Sequence, residues 1–241
     1  MTDKLLVVSA HIADWVWRCS GTVAKYRKQG AEVCVVCLTL GARGESRELW
    51  KSPDATTEEV KRIRLEEAEL AAKKLGVNQF EAWDFDDCPL APEREIFQKL
   101  NAKIREVQPS VIITHDRGDD TNLDHGAAFE ITLQASLMSR QRGVETEGLE
   151  TSRIVQIYGM EPSQPERSGF VPQVYIDVTE VYEEKMAAMA CCKSQPNNPG
   201  LHTLIADRRG RQAAAMPGGK GIKYAESFSN HYPIIVKEKL P

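Results

Sequence analysis

His11 and Asp14 stand three residues apart in the stretch VVSAHIADWVWRCSGT, residues 7 to 22. A second histidine, His125, follows Asp124 and precedes a Gly-Ala-Ala run. Two imidazoles and one carboxylate suit zinc or ferrous iron and leave a coordination position open for water. A carboxylate beside a ligand histidine is a usual means of fixing its ring, which gives Asp124 a reason to neighbour His125. A plainer reading exists for the first pair. His11 can simply end a strand, and Asp14 can cap a helix, because aspartate is a preferred N-cap residue. His125 is what favours the metal, since caps need no third residue from a distant part of the chain.

For these side chains to meet, the ends of separate elements must share one edge. Lys4 to Ser9 is a continuous apolar run, the pattern of a strand buried on both faces. A helix is expected over about 17–29, stopped by Gly30, and residues 31–40 form a second buried strand. A loop rich in Gly, Ser, Arg and Glu follows, then a long amphipathic helix that opens on the capping-box spacing Thr56–Glu59 and ends at Gly76. Strands are expected at 80–85 and 110–115, with a helix at 92–106 between them and another helix from about His125. RIVQIYGM and QVYIDVT read as later strands, and 179–193 as a helix. The segment 194–241 is Gly/Pro-rich, with a short helical patch near 223–228, and is expected to pack near the site. Alternating strands and helices predict an α/β fold, a mostly parallel sheet with helices on both faces. Ligands of such sheets bind beyond the carboxyl ends of the strands. His11 and Asp14 follow the first strand, GARGES the second, Asp86 and Asp87 the third, and His115 and Asp116 end the fourth.

The chain of 241 residues fits a single domain spanning 1–241. It is 41% hydrophobic and 27% charged, enough for a sizeable core. A net charge of −4 offers no basic field for nucleic acid or an anionic membrane. No apolar run approaches ~20 residues, so no transmembrane helix is expected, and the first residues do not resemble a signal peptide. Cys34 and Cys37 lie within an apolar strand, where side chains three apart face opposite sides, so they read as core rather than redox or zinc chemistry. The expected compartment is the reducing cytoplasm.

VVSAH--AD after the first strand, GARGES after the second, RLEEAELAAKKLGV on a helix and LDHGAA after the fourth strand resemble the PIG-L/LmbE family of zinc-dependent N-acetylglucosamine deacetylases. The late YIDVT and KYAESF segments are similar too, so the likeness spans nearly the whole chain in order. The resemblance implies a Rossmann-like fold and a metal held by His11, Asp14 and His125. Its first motif reads Ala-His-Pro-Asp-Asp-Glu, and here the aspartate that acts as general base falls on Ala13. A methyl group takes no proton from water. Ile12 replaces the proline, Trp15 the glutamate, and Asn122 the first histidine of the second motif. Asn122 hydrogen-bonds but does not titrate.

The lost carboxylate and the Arg-Gly-Glu-Ser loop resemble one subgroup, the 4-oxalomesaconate (4-carboxy-2-hydroxymuconate) hydratases of aromatic catabolism. That likeness implies a lyase reaction, addition of water to a double bond conjugated to a keto acid, with the metal stabilising the enolate. Glu45 is then the candidate base in place of Ala13, with Glu48 a weaker alternative. Arg43 is a candidate carboxylate clamp, since its planar fork matches that group, and Arg18, Arg117 and Lys223 are further cations. Asn122 is assigned to substrate binding, and Asp124 and Tyr224 to catalysis. The subgroup's acidic histidine falls on Ser163 or Gln164, which leaves Tyr158, Tyr224, His115 or His202 as substitutes. The implied metal is zinc, with ferrous iron or cobalt also suitable, and a homo-oligomer is implied. Two alternatives stand beside the hydratase: a zinc amidase with Glu45 or Asp124 as base, and a metal-binding protein without catalysis.

Overall fold

Continuous rather than alternating apolar runs mark strands with no solvent face. The computed structural model describes residues 3–235. In it β1 (Lys4–His11) and β2 (Glu32–Thr39) pair in parallel, with Lys4 opposite Glu32 and His11 opposite Thr39. Successive β1 side chains enter different cores. Leu5 and Val7 join one, and Leu6, Val8 and Ala10 the other. Cys34 and Cys37 separate in the same way, as the strand period requires.

The remaining elements are α1 (Asp14–Lys28), α2 (Thr57–Lys74), β3 (Gln79–Phe85), α3 (Arg94–Val107), β4 (Val111–His115), α4 (Leu123–Ser139), β5 (Gln156–Met160), α5 (Pro165–Ser168), β6 (Val174–Asp177), α6 (Tyr182–Met189), α7 (Asn198–Ala214) and β7 (Ala225–Asn230). The sheet order is β3-β2-β1-β4-β5-β7-β6. Strands β1 to β5 pair in parallel, and β7 is antiparallel to both β5 and β6. Trp15 and Val16 of α1, Ala68 and Ala71 of α2, and Ala188 of α6 cover one face. Ile96, Leu100 and Ile104 of α3 with Ala128, Ile131 and Ala135 of α4 cover the other. The α/β fold with helices on both faces is therefore as the alternation implies. From β1 the chain first runs outward through β2 and β3, then returns to place β4 on the other flank of β1. That reversal opens a crevice at the carboxyl ends of β1 and β4, the usual binding place in such sheets.

Several boundaries differ from expectation for local reasons. The first helix starts at Asp14, not 17, because the Ala13 carbonyl already accepts the Val16 and Trp17 amides at 3.0 and 3.2 Å. Thr56 caps α2 as its spacing implies, its hydroxyl accepting the Glu59 amide at 3.2 Å, a contact worth about 1 kcal/mol. The segment 179–193 divides into a 3-10 turn at Thr179–Val181 and the short α6.

The tail departs most. It holds a helix of 17 residues, α7, and its supposed helical patch is the strand β7. Pro199 lies in the first turn, where a missing N–H costs nothing. Gly210, inside α7, lies so close to the Lys223 carbonyl that a Cβ there would come within 1.9 Å of its oxygen. Gly210 is a close-packing residue. Residues 236–241 of that tail lie outside the described residues.

Candidate metal centre

His11 ends β1, Asp14 opens α1, and His125 lies in the first turn of α4. The crevice between β1 and β4 brings all three together. Asp14 is tied back across the turn, its Oδ2 accepting the His11 amide at 2.9 Å. The same oxygen lies 3.0 Å from His11 Nδ1 and 3.5 Å from His125 Nε2. The two imidazole rings meet edge to face, with centroids 5.3 Å apart.

Each ring is fixed from behind by its own carboxylate. His11 Nε2 is 3.0 Å from Asp124 Oδ2, and His125 Nδ1 is 2.8 Å from Asp119 Oδ2. These contacts set which nitrogen of each ring faces Asp14. His125 Nε2 is buried and has no hydrogen-bond partner among the described residues. An orphaned ring nitrogen beside a carboxylate and a second imidazole is what a transition-metal donor set leaves before its ion is counted. The residues fit a zinc-like cation.

Potential ligand atoms also lie within 4.8 Å of one another in groupings that draw in further residues: Asp14, His115 and His125, and His11, Asp87 and Asp124. Both are already occupied by the backbone. His115 Nε2 accepts the Ala10 amide at 3.0 Å. Asp124 accepts the Cys88 and Leu90 amides, both at 2.8 Å, and Asp87 accepts those of Arg43 and Gly44. His11, Glu45 and His125 form a third such grouping, and it places Glu45 at the mouth of the centre.

Charge follows from this packing. Without a cation, burial would lower the His11 pKa, yet Asp14, Asp124 and Glu45 together push it up to about 10. Burial would raise the Asp14 carboxyl, but His125 and His11 hold it well below the usual carboxylate range. Asp124 is also opposed by burial, and hydrogen bonds with His11, Leu90 and Cys88 hold it at about 2. Burial and the neighbouring His125 push His115 down to about 3. Its ring stacks on His125, with centroids 4.1 Å apart and planes at 13°.

Glu45 arrives on a tightly folded loop. Gly41 has φ 62°, where a Cβ would come within 2.9 Å of the Arg64 guanidinium and 3.1 Å of His11 Cβ. The Ser46 hydroxyl donates to the Gly41 carbonyl at 2.8 Å and closes the turn. The Glu45 side chain is 21% exposed, with Oε1 3.9 Å from His11 Nδ1. Asn122 Nδ2 donates to Oε1 at 2.8 Å and Gln195 Nε2 to Oε2 at 3.1 Å.

The other expected residues divide between the rim of the centre, where Arg18 lies 3.3 Å from His125 Nδ1, and places away from it. Arg18 is not free to clamp a substrate. Its side chain is 4% exposed and donates to Asp119 at 2.8 Å, with longer contacts to the Glu161 carbonyl and Ser163. Arg43 is half exposed and pairs with Asp86 at 3.0 Å, on the solvent side. Asn122 caps α4, its Oδ1 accepting the Asp124 amide at 3.0 Å, so its side chain is shared between the helix and Glu45. Asp124 has its oxygens filled and orients His11. Tyr224 stacks on Tyr182, with centroids 3.6 Å apart, and its backbone carbonyl accepts the Val178 amide at 3.0 Å. His202 is sealed against Trp17, where burial pushes it well below its ordinary value. Ser163, by contrast, does reach the centre's edge through Arg18.

Asp119, which fixes His125, carries no distinguishing signal in the sequence. The polar loop offers Asp116, Asp119 and Asp120 alike, and no spacing rule selects the one that turns inward. Asp87, expected at the carboxyl edge after the third strand, is there and accepts the Arg43 and Gly44 amides of the loop that carries Glu45.

A family model described as PIG-L: GlcNAc-PI de-N-acetylase matches residues 6–136. The chain is 35% identical over 235 residues to the 4-oxalmesaconate hydratase of Pseudomonas putida, covering 96% of this chain and 90% of that protein. The crystal structure of GalB, the 4-carboxy-2-hydroxymuconate hydratase from Pseudomonas putida, matches with a TM-score of 0.94 at 34% identity, covering 99% of this chain and all of that one. The diacetylchitobiose deacetylase of Thermococcus kodakarensis is 27% identical over 199 residues, 80% of this chain and 70% of that protein. The fold, the order of the motifs and these matches agree: the chain belongs to the PIG-L family.

Proposed function

We propose that this chain is a metal-dependent hydratase that adds water to a conjugated double bond of a small unsaturated keto-polycarboxylate, 4-oxalomesaconate-like, in aromatic catabolism. One observation carries the reading. The position that the family resemblance assigns to the hydrolytic base is Ala13, 3% exposed and packed in the core, in a chain similar along its length to a hydratase.

His11, Asp14 and His125 are the residues we assign to the cation, which is zinc in this reading, with ferrous iron or cobalt as chemical neighbours. A bound cation supplies Lewis acidity toward the substrate's keto-acid oxygens. Asp119 and Asp124 keep the two rings turned toward it. Glu45 moves the proton: it takes one from water as the water oxygen bonds to the electron-poor alkene carbon, the neighbouring carbon gains a proton from solvent, and Glu45 releases its own to solvent, so that one water is added overall and the carboxylate is restored. Both Glu45 oxygens accept a neutral amide donor and keep lone pairs for that transfer. Arg43, half exposed beside the loop, is the cation we assign to meeting an anionic substrate as it enters.

The proposal takes 1–241 as one domain, with the segment from 194 packing beside the centre through Gln195. It places the enzyme in the cytoplasm as a homo-oligomer, with neither nucleic acid nor membrane as a partner. Among the described residues, no helix is long and apolar enough to cross a membrane.

Ultraviolet absorbance with conjugated keto-acid dienes tests the reaction. Loss of the diene band with water gain in the product is the expected result. Release of free amine from N-acetyl sugars, with the dienes untouched, would replace this reading with the deacetylase.

A further inference from the structure

The reading above gives Glu45 the proton, and the inference here rests on it. A glutamate's terminal torsion is broad, so its carboxylate plane needs outside help to keep one direction. Asn122 supplies part of that help from the cap of α4, a position the helix itself fixes. Gln195 supplies the rest from 150 residues away, in the turn between α6 and α7.

Two contacts make Gln195 more than a passing neighbour. The turn is anchored just before it: Glu67 of α2 accepts the Ser194 amide at 2.8 Å and its hydroxyl at 2.6 Å. The Gln195 side chain is then oriented by Trp17, whose indole N–H donates to Oε1 at 3.0 Å. An amide has a donor end and an acceptor end of nearly equal shape, and an indole N–H only donates. Trp17 can therefore engage only the oxygen, which turns the amide nitrogen toward Glu45. The Trp17 ring is itself held, stacking on His202 of α7 with centroids 5.9 Å apart and planes at 20°. Both donors on Glu45 are neutral, so they fix its direction without cancelling its charge.

We propose that Gln195, oriented by Trp17, is a positioning residue that aims the Glu45 carboxylate at the centre. The segment around 194–202 thus acts on the reaction without touching the substrate.

The test is a double-mutant cycle between Gln195→Ala and Glu45→Gln, read as kcat and KM on the diene substrate. In the parent, Gln195→Ala should lower kcat roughly 10- to 100-fold, the scale of a small misplacement of a reacting group, with KM unchanged. In the Glu45→Gln background it should cost nothing further, because the group it positions no longer transfers a proton. Trp17→Phe keeps an aromatic ring against His202 and removes the indole donor, so it should give a smaller drop in kcat, again absent without Glu45. Gln195→Glu loses its N–H donors and should fall at least as far as alanine. Equal losses in both backgrounds, or parental kcat in Gln195→Ala, would overturn the proposal. Should Gln195→Ala fail to fold, as a thermal melt shows, Trp17→Phe and Gln195→Glu carry the same cycle. A readout independent of substrate separates this inference from the hydratase reading. The side-chain amide resonance of Gln195 should shift in both Glu45→Gln and Trp17→Phe, whatever the enzyme acts on. An unmoved resonance in both would sink the clamp even in an active hydratase.

Discussion

Helix α1 meets buried charge twice, at its first turn and at its middle, and the two clusters are finished differently. At the middle, Glu226 Oε1 accepts from Lys185 Nζ at 2.7 Å and the Gly21 amide at 2.9 Å. Its Oε2 accepts the Thr22 amide and hydroxyl at 2.7 and 2.6 Å, while Lys185 also donates to the Trp17 carbonyl at 2.8 Å. Both Glu226 oxygens and the Lys185 ammonium have partners. At the first turn, Asp14, His11 and His125 converge with comparable burial, yet His125 Nε2 is left without one. Buried charge is therefore not by itself the mark of a site, since a paired and saturated charge is scaffold. Polarity gathered around a vacancy in the hydrogen-bond pattern is what points to an ion.

That contrast breaks first at the vacancy. His125→Ala should abolish turnover and stoichiometric metal while the chain stays folded, checked by metal analysis, rate and a thermal melt. Retained metal and rate would make the first cluster scaffold like the second. Glu45→Gln should lower kcat about 10²–10⁴-fold with metal content intact. An effect below about tenfold would move the base elsewhere. In the other cluster, Lys185→Met leaves the Glu226 charge buried and unpaired, and should destabilise the fold by about 3–5 kcal/mol. Chemical denaturation measures that loss, and the folded fraction should keep its kcat. Smallest is Asp119→Asn, which keeps the shape beside His125 but weakens its support. Metal affinity should fall about 10–100-fold in a competition titration with a chelating dye.

The sequence made the two clusters look alike at some points and different at others. His11 and Asp14 are legible because three residues of spacing at a strand end already place both at one edge. His125 is legible because it begins a helix at the same edge. The partners are not. Arg18 shows its charge in the sequence but not its bond to Asp119, which comes from a loop 101 residues away. Without that partner it reads as a free cation. Glu226 lies in the family-like KYAESF segment, where the sequence leaves open a place near the site or plain packing, and it receives Lys185. The tail's composition misleads because proline and glycine carry opposite meanings by position. Pro199 begins a helix, and Gly210 admits a neighbouring backbone. The strand β7 owes its existence to edges offered by β5 and β6, and nothing local to 225–230 announces them. Gln195 combines both difficulties, a distant partner in a segment of misleading composition.

One diffraction measurement decides the central claim: an anomalous difference map, collected at the absorption edge of the metal that co-purifies in the absence of chelator. The account predicts one strong peak bonded to His11 Nδ1, an Asp14 oxygen and His125 Nε2, at about 2.0–2.2 Å if the ion is zinc, with the Glu45 carboxylate on its open side. A peak bonded through His115 instead, or no peak in the crevice between β1 and β4, would contradict it.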